Sequence, residues 1–262
     1  MTYMRELWDD MARSVAFLSR IPMPQRHFAG HDGRLSRAVR AFPLAGMLIA
    51  LPAALLAAFL GLLQANALFT AFLIIAVQAA VTGALHEDGL GDAADGLGGG
   101  RDREGALAIM KDSRIGTYGA VALILSIGLR VSALAALLPL MSPIGAALAL
   151  LGAAALSRAA MVWHWSRLPP ARRDGVAVSA GEPEPRATSL ALASGAILAL
   201  LLFFAAGLPV VAALLALAAF GLVVPGFGRL VSRKLGGHTG DTIGATQQLT
   251  EIAVLGALAL AS

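Results

Sequence analysis

The sequence predicts an all-α, polytopic membrane bundle, and three observations carry that reading. Of the 262 residues 58% are apolar and only 14% are charged, and mean hydropathy is +0.76, which lies outside the range of soluble globular chains. Apolar runs of about twenty residues recur, the length a helix needs to cross the hydrocarbon. The charges between those runs fall in alternate loops.

Seven spans follow from the hydropathy pattern: Phe42–Leu63, Ala67–Leu85, Thr117–Leu140, Pro143–Trp163, Ser189–Ala206, Leu208–Phe227 and Thr242–Ala261. Very short turns join the first and second, the third and fourth, and the fifth and sixth, which predicts antiparallel hairpins. The whole chain, 1–262, reads as one membrane domain. Residues 1–41 form a cytoplasmic or interfacial N-terminal segment, and 42–261 form a bundle with a charged loop at 86–116, the candidate for whatever chemistry the chain performs.

Lys and Arg number seven before Phe42, four in 86–116, four in 164–188 and three in 228–241. Only Arg130 and Arg158 fall inside spans, and the turns near Gln64, Met141 and Gly207 carry no charge. The positive-inside rule then places all four basic segments in the cytoplasm. That accounts for the net charge of +4 without nucleic acid as a partner. The absence of cysteine excludes disulfides, thiolate metal sites and cysteine nucleophiles.

The first twenty residues are charged throughout and show no apolar core of a cleavable signal peptide. Tyr3, Leu7, Met11, Ser14 and Leu18 mark one stripe of a helix, predicting a segment that lies on the membrane surface; a helix packed on its own chain fits the stripe equally. Trp163, His164 and Trp165 close a span and read as an interfacial anchor, with His164 structural rather than catalytic.

The stretch "LHEDGLGDAADGLGGGRDREGALAIMKDSRIGTYG", Leu85 to Gly119, holds seven of the sixteen carboxylates. Asp88, Asp92 and Asp95 are spaced i, i+4, i+7, so on a helix they lie within about 60° of one another. Like charges so placed repel, and no basic residue stands between them. A hard divalent cation such as Mg²⁺ or Mn²⁺ resolves that conflict, because the cluster offers only carboxylate oxygens. The "GLGGGRDR" that follows supplies backbone amides and arginines suited to phosphate, although it lacks the ending of a P-loop. A second cluster, "GGHTGDTIGATQQLTE", brings Asp241 to the start of the last span and Glu251 about ten residues into it. An ionisable group at that depth is functional by default, with Arg130 and Arg158 as its candidate partners; either arginine could instead face an anionic substrate.

These residues resemble the signature of the cobalamin synthase family, the adenosylcobinamide-GDP ribazoletransferases of bacteria and archaea. "LSRAAM" and "GGHTGDTIGATQQLTE" are similar to later blocks of the same family in the same order. The resemblance implies transfer of adenosylcobinamide phosphate from adenosylcobinamide-GDP to α-ribazole or its 5′-phosphate. GMP leaves and adenosylcobalamin or its phosphate forms, the last step of nucleotide-loop assembly. It further implies Mg²⁺ dependence and a multi-pass enzyme of the bacterial inner membrane, its partners being these substrates and the bilayer, with a homo-oligomer compatible.

On that basis Asp88, Asp92 and Asp95 are expected at the metal and the diphosphate. Arg101, Arg103, Lys111 and Arg114 are expected at phosphate, and Arg158, Asp241 and Glu251 at substrate. His86, Asp95 or Asp112 is expected as the base that deprotonates the ribose hydroxyl.

A weaker likeness to the CDP-alcohol phosphotransferases rests on Asp92, Asp95, Gly96 and Arg101. It departs at "GGGR" and lacks that family's later aspartates. A transporter using Asp92, Glu251 and Arg130 as an ion relay is the competing class, but the acids gather at one rim rather than mid-membrane.

Overall fold

The computed structural model describes residues 2–262, with side chains from Met4 onward; the side chain of Tyr3, part of the expected surface stripe, lies outside the described residues. Eleven α-helices occur among them, and no strand: α1 Thr2–Leu18, α2 Phe42–Leu62, α3 Ala67–Thr82, α4 Leu85–Gly99, α5 Arg103–Ile109, α6 Thr117–Leu137, α7 Pro143–Arg167, α8 Val176–Ser179, α9 Pro185–Ala205, α10 Val210–Leu235 and α11 Gly240–Ala261. Short 3₁₀ turns flank several of them.

Six helical segments are long and apolar enough to cross a membrane. The expected span Ala67–Leu85 is corrected in its bounds and shape, and a seventh span is reached when α3 and α4 are taken together. The helix starting at Ala67 stops at Thr82, and together with α4 it forms a pair bent by 91°. Alone, α3 has sixteen residues, about 24 Å of helix against a core of about 30 Å. Gly83 (φ 64°) and Ala84 (φ 58°), both left-handed, make the corner. Gly83 caps α3 through bonds to Ala79 and Ala80 carbonyls, and a side chain there would overlap Arg20. We read α3 as the apolar arm and α4, with four carboxylates in fifteen residues, as a polar arm outside the spans.

The expected loop 86–116 is therefore two helices, α4 and α5, with short connections. Glycine in a helix interior costs about 1 kcal/mol each relative to alanine, so local propensity reads this stretch as loop. Packing overrides it. A Cβ on Gly89 would come within 2.9 Å of the Asp241 carbonyl oxygen, so glycine lets α4 lie directly against the start of α11.

α7 is the central helix. It packs on α2, α9 and α11 and is buried along most of its length through alanine and glycine. This corrects the anchor expected of Trp165, which is 2% exposed and stacks on Phe17. Only Trp163 remains partly exposed, with the Arg167 guanidinium 5.9 Å from its ring centre. His164 is buried and meets the Thr242 hydroxyl at 3.1 Å, a structural contact.

α1 packs on its own chain. Val15 and Leu18 are fully buried, the Ser14 hydroxyl donates to the Ala38 carbonyl at 3.1 Å, and buried Asp10 meets Arg40 at 2.8 Å. Met4 and Trp8 face outward.

The four basic segments gather at one end. Arg20 N–H donates to Val81 at 2.8 Å, Leu35 to Ala180 at 2.7 Å, His238 to Pro169 at 2.8 Å, and the Arg103 Nε–H to the Leu235 carbonyl at 2.8 Å. The uncharged turns near Gln64 and Met141 meet at the opposite end.

Candidate active site

α4 brings its acids to three different environments. Asp88 is exposed, Asp92 is half-buried and Asp95 is buried. The two Asp95 oxygens accept the backbone N–H groups of Gly116 and Gly119 at 2.7 and 2.8 Å, so this carboxylate ties α4 to the start of α6. Asp92 has no such donors. Burial, then the charges of Asp88, Asp241 and Asp95, push its carboxyl up to about 6, with Arg172 opposing.

Asp241 enters this group from α11. It follows the N-cap Thr239, accepts that residue's hydroxyl at 3.1 Å, and meets Arg172 at 3.3 Å. Asp88, Asp92 and Asp241 thus form an acidic rim with one guanidinium beside it.

The rim borders a cavity of about 230 Å³ between α1, α4, α7 and α11. Asp88, Asp241 and Arg172 line its polar side; Phe17, Leu18, Met161, Trp165 and Ile243 line its apolar side, with His86 between them. His86 Nε2 and Arg172 Nη1 are buried without a hydrogen-bond partner in the protein. Burial, then the guanidinium groups of Arg158 and Arg130, hold the His86 imidazole well below its usual range, so it is neutral and a weak base.

The expected phosphate ligands disperse. Arg101 is exposed. Arg103 donates to the Leu235 and Ala171 carbonyls, joining α5 to α10 and to the loop after α7. Lys111 pairs with Asp174 at 2.7 Å at the surface. Arg114 closes on Asp112 at 2.7 Å, and that bond holds the Asp112 carboxyl down to about 2, a poor proton acceptor.

Beneath the rim lies a buried ionic quartet. Arg130 reaches Glu87 at 3.3 Å and Glu251 at 3.6 Å, and Arg158 reaches Glu251 at 3.5 Å. Gln248 donates to Glu87 at 3.1 Å and accepts from Ser126 at 2.9 Å. Glu251 therefore faces two arginines inside the bundle, and Arg158 is held by it.

Sequence reasoning missed Glu87, Arg172 and Trp165. Glu87 sits in the acidic stretch but off the face shared by the aspartates. Arg172 stands in a Pro- and Gly-rich loop where no periodicity singles it out. Trp165 carried a signal, but an aromatic at a span's end reads first as an anchor.

The arrangement suits cation-assisted chemistry on a phosphate ester. Its rim offers three carboxylates against the single guanidinium of Arg172, the donor type a hard cation takes. Among the described residues no three Asp, Glu or His groups already converge on one point. A cation there would need its other oxygens from substrate and water, as Mg²⁺ commonly does.

The chain matches the cobalamin-5-phosphate synthase family over residues 10–259. It is 77% identical over 261 residues to the adenosylcobinamide-GDP ribazoletransferase of Rhizobium meliloti (strain 1021). It is 59% identical over 255 residues to that of Rhizobium etli (strain CIAT 652), and 42% over 252 to that of Brucella canis. Each alignment covers 96% or more of both chains. No solved structure matches it. With a multi-pass helical bundle and an acidic rim at its charged end, the chain belongs to the cobalamin-5-phosphate synthase family.

Proposed function

We propose that this chain transfers adenosylcobinamide phosphate from adenosylcobinamide-GDP to a hydroxyl of α-ribazole or its 5′-phosphate. The acceptor oxygen bonds to the phosphorus that carries cobinamide. The anhydride P–O bond breaks with its electron pair leaving on GMP, and the hydroxyl proton is released. The observation that carries this reading is the Asp88–Asp92–Asp241 rim, three carboxylates beside one guanidinium, at the edge of a cavity.

Those three carboxylates would hold Mg²⁺, which when bound neutralises the diphosphate oxygens and eases departure of GMP. Arg172, with one nitrogen on Asp241 and another unpartnered, offers a second positive group to the phosphoryl oxygens. Asp95 keeps α4 in register with α6 through two amide bonds. The rim is open to solvent at Asp88, so the released proton passes to water.

The gathering of the basic segments at this end supports a cytoplasmic site in a bacterial inner membrane. The test is purified protein in lipid with adenosylcobinamide-GDP, α-ribazole and Mg²⁺. GMP and a cobalamin product should appear together, and their absence would overturn the reading.

A further inference from the structure

The acidic rim accounts for only one side of the cavity. The other side is apolar and aromatic, and two of the residues that line it, Trp165 and His86, each carry a ring nitrogen buried just behind the wall without a partner. Trp165 is 2% exposed and His86 1% exposed. Trp165 Nε1 and His86 Nε2 have no hydrogen-bond partner in the protein. Indole N–H donates only, and a buried donor without an acceptor is a costly feature for a folded chain to keep. Trp165 is also fixed in place, stacked on Phe17 at 6.4 Å and packed against Phe42 at the same distance.

We propose that this cavity binds the heteroaromatic base of the ribazole acceptor, with the Trp165 N–H donating to its bare ring nitrogen. The assignment rests on the ribazole transfer proposed above and names where its acceptor sits. A dimethylbenzimidazole is a neutral, flat bicycle with two methyl groups and one unsubstituted ring nitrogen once the sugar occupies the other. It needs apolar walls and one donor. Met161, Ile243 and Phe17 supply the walls, and Trp165 supplies the donor.

The other parts of the two substrates fit less well. A cavity of about 230 Å³ is too small for a corrin ring. Guanine carries donors and acceptors around its edge, most of which would be left unpaired against this floor. The position also serves the reaction. Asp88 and Asp241 line the same cavity, so a base seated beside Trp165 brings its ribose to the carboxylates, where the attacking hydroxyl is needed.

The experiment compares steady-state kinetics of wild type and Trp165→Phe in lipid, varying each substrate in turn. Binding of α-ribazole alone is measured in parallel by equilibrium dialysis. Loss of one hydrogen bond should raise the KM and Kd for α-ribazole roughly tenfold, with the KM for adenosylcobinamide-GDP within about twofold. Because Trp165 lies in the core, a second measurement uses wild type only. The dimethylindole riboside, with C–H in place of the bare nitrogen, should bind roughly tenfold more weakly than α-ribazole. On Trp165→Phe the two ribosides should bind alike.

If wild type transfers but binds both ribosides equally, the base site is wrong and the proposed reaction stands. If the donor KM rises instead of the acceptor KM, the cavity belongs to guanine and the assignment is overturned. If wild type forms no GMP, the reaction and the base site fall together.

Discussion

Arg130 and Glu87, forty-three residues apart, meet at 3.3 Å in the interior of the bundle. This contact joins the acid-bearing helix α4 to α6, and Glu251 extends it through Arg130 and Arg158 to α11 and α7. Removing one member leaves the buried quartet with a net charge, at a cost of about 3–5 kcal/mol. Glu251→Gln and Arg158→Met should each lower the melting temperature of the purified protein sharply. The double variant should melt higher than either single one. Additive losses would show that the two groups are not coupled.

Asp88→Asn, Asp92→Asn and Asp241→Asn should each reduce kcat by roughly a thousandfold, because each removes negative charge that fixes transition-state electrostatics. More substrate should not restore the rate. Asp102 accepts the Gly105 N–H as the N-cap of α5, a place asparagine fills as well. Asp102→Asn should therefore retain near-normal turnover. Equal losses at all four positions would remove any special role from the rim.

Asp92 supplies a pH test. Its carboxyl is pushed up from 3.8 to about 6, first by burial and then by Asp88, Asp241 and Asp95. The folded protein binds this proton more tightly than the unfolded chain, so without a cation stability falls as pH rises from about 4 through about 6. A cation that neutralises the rim should reverse this. Mg²⁺ should raise the melting temperature more at pH 7.5 than at pH 5, where it competes with the proton. Asp92→Asn should flatten both dependences, and a Mg²⁺ effect unchanged by that variant would refute the assignment.

Topology is open to single-cysteine labelling, since the chain contains no cysteine. Gln64→Cys and Ser142→Cys should react with an impermeant maleimide added to intact cells. Asp112→Cys and Asp174→Cys, at the exposed surface of the charged end, should react only after lysis. Labelling of the last two in intact cells would invert the orientation.

Hydropathy located six of the spans well because crossing a bilayer leaves a continuous apolar run. The helical face of Asp88 and Asp92 was legible too, since i, i+4 spacing needs no tertiary knowledge. The bend at Gly83–Ala84 was not, because a left-handed alanine is set by its surroundings and apolar residues continue through it. Nor did spacing reveal that Asp95 spends its oxygens on backbone amides, or that Arg103 ties α5 to α10. Both depend on segments distant in sequence arriving at one place. Glu251 was suspect from depth alone, whereas its link to Glu87 required the fold.

The right-angled corner between α3 and α4 couples the acids to the lipid around them. Sixteen residues of α3 fall short of a typical hydrocarbon core, so mismatch is relieved by thinning the bilayer beside it, tilt only worsening the shortfall. The corner at Gly83–Ala84 follows the level of the thinned surface, and α4 carries Asp88 and Asp92 beyond it. Acyl-chain length should therefore act on the level of these carboxylates, making the thickness of the bilayer a setting of the acidic rim.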